Sequence, residues 1–143
     1  MYHHTQSATV TRIAAWATVV VAVSTVAWVG PRLILWLVVV IALLGALTFG
    51  SMTIEVDHER LRFWFGPGWI GRSIALRDIQ SWTAVTNPWW YGWGIHLTPH
   101  GWLYNVGGRG AVQLELRDGR RLRVGTDEPV RLHEAITAMK GPG

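Results

Sequence analysis

The sequence predicts a membrane α + β protein, in which a two-helix transmembrane hairpin precedes a seven-stranded antiparallel barrel or sandwich with a C-terminal helix. Three observations lead to this fold class. Two long stretches carry no charge, and the segment after Gly50 changes to alternating polar and apolar residues. Only 15% of the residues are charged, against about 25% in soluble domains. We therefore divide the chain into an N-terminal tail (1–12), a hairpin (13–49) and a β domain (50–143).

The uncharged residues 13–29 and 33–49 predict two transmembrane helices. At ~1.5 Å per residue each run covers about 25 Å, and flanking residues complete a ~30 Å hydrocarbon span. Residues 30–32 (Gly-Pro-Arg) leave room only for a tight turn, so the helices must be antiparallel neighbours. Two soluble core helices or a cleaved signal peptide are disfavoured, because few residues remain to cover both runs and a second apolar run follows the first at once.

Small residues recur at helical spacing in both predicted helices. Such residues let helix backbones approach closely, which drives association in lipid. Two interpretations stay open: this seam packs the hairpin on itself, or it docks a foreign helix. The seam residues are Ala15, Thr18, Ala22 and Thr25 in the first helix and Ala42, Gly45 and Ala46 in the second.

Tryptophan and arginine flank the predicted spans in the manner of interfacial anchors. Arginines that follow the second helix favour a cytoplasmic location for both termini and the β domain, under the positive-inside rule. The predicted anchors are Arg12, Trp16, Trp28, Arg32 and Trp36.

The β domain is predicted from short runs of period-two alternation separated by turn residues. The seven runs are 52–57, 61–65, 72–76, 81–86, 103–106, 111–116 and 121–124. Glycine and proline at 66–68 predict one hairpin turn, and Asp118-Gly119 predicts a type I′ turn. Thr126 and Asp127 are predicted to cap a helix over 128–139, whose apolar stripe is Val130, Leu132, Ile136 and Met139.

Three motifs in the β domain resemble those of a known family. They are Gly92-Trp93-Gly94-Ile95, the Gly101–Val106 run and Gly125-Thr126-Asp127-Glu128-Pro129. They are similar to motifs of the bacterial PH-like domains found in small membrane proteins with two N-terminal helices. The resemblance covers residues 51–140 and extends to the order of anchor and domain. It implies a PH-like barrel in a multi-pass protein of the bacterial cell (inner) membrane, and it implies no general activity.

Several kinds of chemistry have no motif in the sequence. The chain has no cysteine, and neither predicted span contains the histidine that holds haem or chlorophyll. His96 and His100 are four apart, but Pro99 and Gly101 disfavour a helix there, so the pair is not predicted to bind metal. The net charge of +4 comes from scattered arginines, which favour anionic lipid over nucleic acid. We expect no enzyme activity, no cofactor and no metal.

Ten tryptophans are the strongest compositional anomaly, since tryptophan is favoured at bilayer interfaces and in protein contacts. Two stretches concentrate them, the loop 87–93 and the hairpin 63–70. The loop aromatics either fold back as core or contact the membrane or a partner, with Trp93 expected to be the buried member. The predicted membrane or partner contacts are Trp64, Trp69, Ile70, Trp89, Trp90, Tyr91 and Trp102.

Two functions remain open at this point. The first is a non-enzymatic accessory or structural subunit of a larger membrane complex, with the bilayer and other integral membrane proteins as partners. In it the hairpin packs beside other helices and the tryptophan-rich domain braces the assembly. The alternative is a membrane-surface module that binds lipid headgroups or a peptide. It predicts that Arg120, Arg121 and Arg123 share a concave, solvent-open anion pocket.

Overall fold

The computed structural model describes residues 1–141, and within them the chain forms three α-helices and nine β-strands. The elements are β1 (Tyr2–Ser7), α1 (Thr9–Val29), α2 (Leu33–Phe49), β2 (Ser51–Val56), β3 (Arg60–Phe65), β4 (Ile70–Ala75), β5 (Ile79–Thr86), β6 (Gly94–Thr98), β7 (Gly101–Asn105), β8 (Gly110–Leu116), β9 (Arg121–Gly125) and α3 (Pro129–Lys140).

The two N-terminal helices pack against each other and leave most of their apolar side chains exposed. Gly30 ends α1 with a φ of +89°, a conformation that glycine adopts at little cost. The hydroxyls of Thr18, Ser24 and Thr25 donate to carbonyls one turn earlier, so these polar groups are satisfied within α1. α1 is long and apolar enough to cross a membrane, whereas α2 is apolar but shorter at 17 residues.

The first sheet has the order β1-β2-β3-β4 and is antiparallel throughout. Its edge strand β1 lies in the segment that the sequence predicts to be a tail, so that prediction is wrong for residues 2–7. The segment is too polar to be recognised as a strand from its sequence. Its place in the sheet depends on pairing with β2 and on one buried side chain. Gln6 donates to the Gly125 carbonyl at 2.8 Å and accepts from the Asp127 amide at 2.9 Å.

The second sheet has the order β5-β8-β9-β7-β6. Each of the seven predicted runs overlaps a strand, but the predicted total of seven is wrong because β1 and β6 were missed. The all-antiparallel prediction is wrong for one pair, since β7 and β9 run parallel. The β8–β9 hairpin places β9 beside β7, and a parallel neighbour of this kind has no local sequence signal.

The core lies between the inner faces of the two sheets and beneath α3. Leu132 and Ile136 of α3 are fully buried, as the apolar stripe predicts, whereas Val130 is exposed. The predicted cap differs in detail: the Thr126 hydroxyl accepts from the Glu128 amide at 3.1 Å. The helix proper begins one residue later than predicted, at Pro129.

The β8–β9 turn differs from the predicted type I′ geometry. Type I′ requires positive φ at both central residues, but Asp118 keeps a negative φ while Gly119 has +84°. The amide of Leu116 donates to Arg120 O at 2.8 Å and that of Gly119 to Leu116 O at 2.9 Å. This is the three-residue hairpin with glycine in the left-handed position.

The helices join the β domain through close contacts at one end. The buried Ala8 donates its amide to Gly50 O at 2.8 Å, which ties the start of α1 to the end of α2. The turn after β3 lies so close to the end of α2 that a Cβ on Gly66 would collide with the Leu47 carbonyl. The domain therefore sits directly against the ends of both helices.

Candidate functional site

The loop between β5 and β6 carries the most exposed aromatic cluster of the β domain. The loop starts at Asn87, whose backbone N–H donates a hydrogen bond to the Arg109 carbonyl at 2.6 Å, and a short 3-10 turn over Trp89–Tyr91 follows. Trp89 and Trp90 are 77% and 68% exposed and meet edge to face at 6.0 Å. Both rings lie outside the core, so the core-packing interpretation is wrong for these two residues.

Trp93 was expected to be buried, and that expectation is wrong, since it is 48% exposed. It lines a groove with Val10, Ala14 and Phe49, where the loop approaches the domain end of α1. Gly92 and Gly94 on either side have positive φ, a conformation that glycine adopts at little cost. The loop therefore lies beside the base of the helices.

Tyr91 is the one aromatic of this loop that turns inward. Its ring lies 6.0 Å from the guanidinium carbon of Arg123 and 6.3 Å from the His100 ring. Together with the loop backbone it covers part of the outer face of the second sheet. Leu103 of β7, which points away from the main core, is fully buried there.

Arg123 is a buried cation, only 6% exposed. Its Nε and Nη2 donate to Gln113 Oε1 at 3.0 and 2.9 Å, and its Nη1 donates to Asn87 Oδ1 at 2.8 Å. Within residues 1–141 no carboxylate pairs with it. Burial lowers the pKa of Arg123, and the nearby Tyr91 opposes that shift. The amides of Asn87 and Gln113 were not singled out from the sequence.

The three arginines predicted to share an anion pocket are separated in the structure, so that prediction is wrong. Arg120 pairs with Asp118 at 2.6 Å, and Arg121 pairs with Glu115 at 3.2 Å. Arg123 is buried beneath the loop. Arg120 precedes β9, whereas Arg121 and Arg123 are two residues apart on β9 and share its outer face. The loop covers only Arg123, and the two exposed cations are already paired with local carboxylates.

The β3–β4 hairpin presents a second exposed aromatic group. Trp69 and Ile70 at its tip are exposed, while Trp64 is partly buried against Gly71. Contact of this tip with a membrane or a partner stays a prediction. Arg72, on the edge strand β4, donates to the Tyr104 hydroxyl at 2.6 Å and so connects the two sheets. This tip lies on the side of the domain that contacts the end of α2.

Trp102 lies on β7 opposite Leu97 of the edge strand β6. Both side chains are exposed. His96, also on β6, has a buried Nε2 without a hydrogen-bond partner in the described residues. Neither His96 nor His100 is helical.

The small residues of the predicted seam are the less exposed positions of the two helices. Ala22 is buried, and Ala15, Thr18, Thr25, Ala42, Gly45 and Ala46 are partly buried. An added Cβ at Gly45, however, would meet no atom within 4 Å. The seam thus lies within the hairpin, except that Gly45 faces open space.

The predicted interfacial anchors are exposed and lie towards the ends of the helices. Trp28 and Trp36 flank the tight turn, together with Arg32. Arg12 lies at the other end, with its side chain near Gly50, and Trp16 lies one turn further along α1. This distribution is the one expected of a helical pair with two polar boundaries.

Comparison of the chain with protein-family models, with curated proteins and with solved structures gave no match. The resemblance to bacterial PH-like membrane proteins therefore stays a prediction from the motifs.

Proposed function

We propose that the chain is a non-enzymatic accessory subunit of a larger membrane protein complex. In this proposal α1 and α2 both cross the bilayer, and the β domain lies on the cytoplasmic surface of a bacterial cell membrane. The helices pack beside helices of other integral membrane proteins, and the exposed tryptophans of the domain contact the headgroup layer or the partner.

The observation that supports this proposal is where the exposed apolar side chains lie. Most of the large exposed hydrophobic residues of the described chain are on α1 and α2. Their outer faces include Val20, Val21, Leu37 and Ile41, all of which are exposed. A water-soluble protein does not leave two whole helix faces of this kind uncovered.

A second span by α2 is compatible with its length. At ~1.5 Å per residue its 17 residues cover about 26 Å. A bilayer adapts to a few ångströms of mismatch at modest cost. Because only three residues connect it to α1, a transmembrane α1 also requires α2 to return towards the domain.

Association with other helices has support at one position. In lipid, helices associate by close packing of small residues. The other seam residues pack within the hairpin, but a Cβ added at Gly45 would face open space. A partner helix approaching there would meet backbone and no side chain.

The test is detergent extraction of the full-length tagged chain from its native membranes, followed by identification of co-purifying proteins. We expect wild type to bring down integral membrane proteins and Gly45→Leu to lose them. An added Cβ has room at this site and leucine is the better helix former, so the variant should unfold at the same temperature as wild type or at a higher one.

Ala22→Leu is the matched control, because it places the same side chain on a buried seam position. Overpacking there costs about 1–3 kcal/mol, so this variant should lower the unfolding temperature of the hairpin. A wild-type chain that always extracts alone as a monomer contradicts the subunit proposal.

A further inference from the structure

A small cleft lies beneath the exposed loop of the β domain, away from the helix faces of the proposed function. Its volume is about 200 Å³, which compares with about 30 Å³ for one water molecule. It has room for a group of several non-hydrogen atoms. Its lining includes Asn87, Trp89, Trp93, Gly108 and Arg109.

Asn87, which lines this cleft, has an unused hydrogen-bond donor. The residue is 2% exposed, yet its Nδ2 has no partner within residues 1–141. The orientation of the amide is set by Arg123, whose Nη1 donates to Oδ1 at 2.8 Å. In the flipped amide, the NH2 group would face the guanidinium, and two donors cannot form a hydrogen bond with each other. Nδ2 is therefore the atom of Asn87 that lacks an acceptor.

The charge around the cleft is positive. Arg109 donates through Nε to the Asn87 carbonyl at 3.1 Å, which leaves its two terminal nitrogens available. Neither Arg109 nor Arg123 pairs with a carboxylate in the described part of the chain. One cation thus lines the cleft and a second contacts the Asn87 side chain, a setting that favours an anionic acceptor for Nδ2.

Other ligand types fit this set less well. A cation would be repelled by the arginines, and an apolar group would leave Nδ2 unsatisfied. An oxyanion accepts from the amide and from guanidinium nitrogens at once, and such charge-assisted bonds are the stronger ones. Arginine is the side chain most suited to bidentate recognition of phosphate.

The position of the cleft favours phosphate among the oxyanions. Trp93 lines both this cleft and the groove formed with Val10, Ala14 and Phe49 at the base of the helices. If the helices cross the bilayer, as the proposed function requires, the cleft opens at the depth of lipid headgroups. Trp89 and Trp93 then flank it with rings that are favoured in that layer.

We propose that this cleft binds a phosphate group, which Arg109 and the Nδ2 of Asn87 hold between Trp89 and Trp93. Arg123 acts as a positioning residue by holding the Asn87 amide in the donating orientation. A lipid phosphodiester and free inorganic phosphate present the same oxygens to these donors.

The test is calorimetric titration of the full-length chain in a phosphate-free maltoside detergent. Three probes are compared: inorganic phosphate, dihexanoyl-phosphatidylglycerol and dihexanoylglycerol, which lacks the phosphate. We expect saturable binding of a phosphate-bearing probe and none of dihexanoylglycerol. Binding of inorganic phosphate supports a site for free phosphate, and binding of the phospholipid alone supports a headgroup site.

Two variants test the assigned residues. Arg109→Gln removes one charged hydrogen-bonding group and should weaken binding about tenfold or more. Arg77→Gln, an equal change at an exposed arginine in the turn between β4 and β5, should stay within about twofold. Asn87→Asp keeps the shape and places a carboxylate beside Arg123, so it should fold at least as well as wild type and lose phosphate binding.

Three results overturn the proposal: no saturable binding of either phosphate-bearing probe, equal binding of dihexanoylglycerol, or equal effects of Arg109→Gln and Arg77→Gln. The titration uses purified protein, so it does not depend on co-purifying partners. Phosphate binding by a chain that extracts alone would contradict the subunit proposal only.

Discussion

At the scale of single residues, the outer face of the second sheet is the feature that departs most from its sequence pattern. Arg121 and Arg123 alternate with apolar residues in β9, which is the pattern of an exposed strand face. Arg121 follows that pattern, whereas Arg123 is buried because the loop of residues 88–93 lies over it. A strand pattern reports alternation and not what covers each face, so this burial could not be predicted.

Arg123 should matter more to stability than its neighbour Arg121. Arg123→Met leaves Asn87 Oδ1 buried and Gln113 Oε1 partly buried without a donor. A buried unsatisfied group costs about 1–3 kcal/mol, and one that water reaches costs less. Arg121→Met removes an exposed pair worth about 0–1 kcal/mol. We expect denaturant unfolding of the full chain in detergent to show a loss of about 2–4 kcal/mol for the first variant. Equal losses for the two variants would contradict the buried network.

At the scale of elements, the sequence predicts well those helices and strands that have a local pattern. The two apolar helices are recognisable from their uncharged runs, and seven strands are recognisable from period-two alternation. β1 and β6 do not, because β1 is polar and β6 is a short segment beginning at a glycine. Their pairing depends on distant strands, which alternation cannot report. The candidate site was predicted in part: the exposed rings of Trp69, Trp89 and Trp90 were expected, whereas the amide and arginine cluster beneath them was not.

The attachment of β1 to the start of α3 should depend on pH through Tyr2. The Tyr2 hydroxyl donates to Glu128 Oε2 at 3.3 Å. Burial, and then the negative charge of Glu128, raise its pKa from 10.0 to about 12. A group with a raised folded-state pKa contributes stability below its unfolded pKa and loses that contribution as the pH rises. The contribution of Tyr2 is therefore complete below about pH 10 and lost between about pH 10 and 12.

The measurement compares thermal unfolding of wild type and Tyr2→Phe from pH 8 to pH 12. We expect wild type to be the more stable at pH 8 and its advantage to shrink above about pH 10, because only wild type has this phenol to ionise when unfolded. Two unfolding curves that fall in parallel over this range would show that Tyr2 does not link β1 to α3.

At the scale of the whole molecule, two exposed aromatic groups lie on the side of the domain that meets the helices. The Trp69 tip adjoins the end of α2 through Gly66, and the loop with Trp93 adjoins the start of α1. A domain placed against a bilayer by two helices would bring both groups to the headgroup layer, where tryptophan is favoured. The distribution of the rings and the apolar helix faces thus support the same membrane placement.

In the proposed arrangement, α1 and α2 cross a membrane and leave the β domain on one side. The chain has no cysteine, so Arg32→Cys at the helical turn and Asp118→Cys in the domain each provide a single label site. Labelling of intact cells with a membrane-impermeant maleimide should modify the cysteine at 32 and reach the one at 118 only after permeabilisation. Labelling of both positions from the same side would contradict the two-span arrangement.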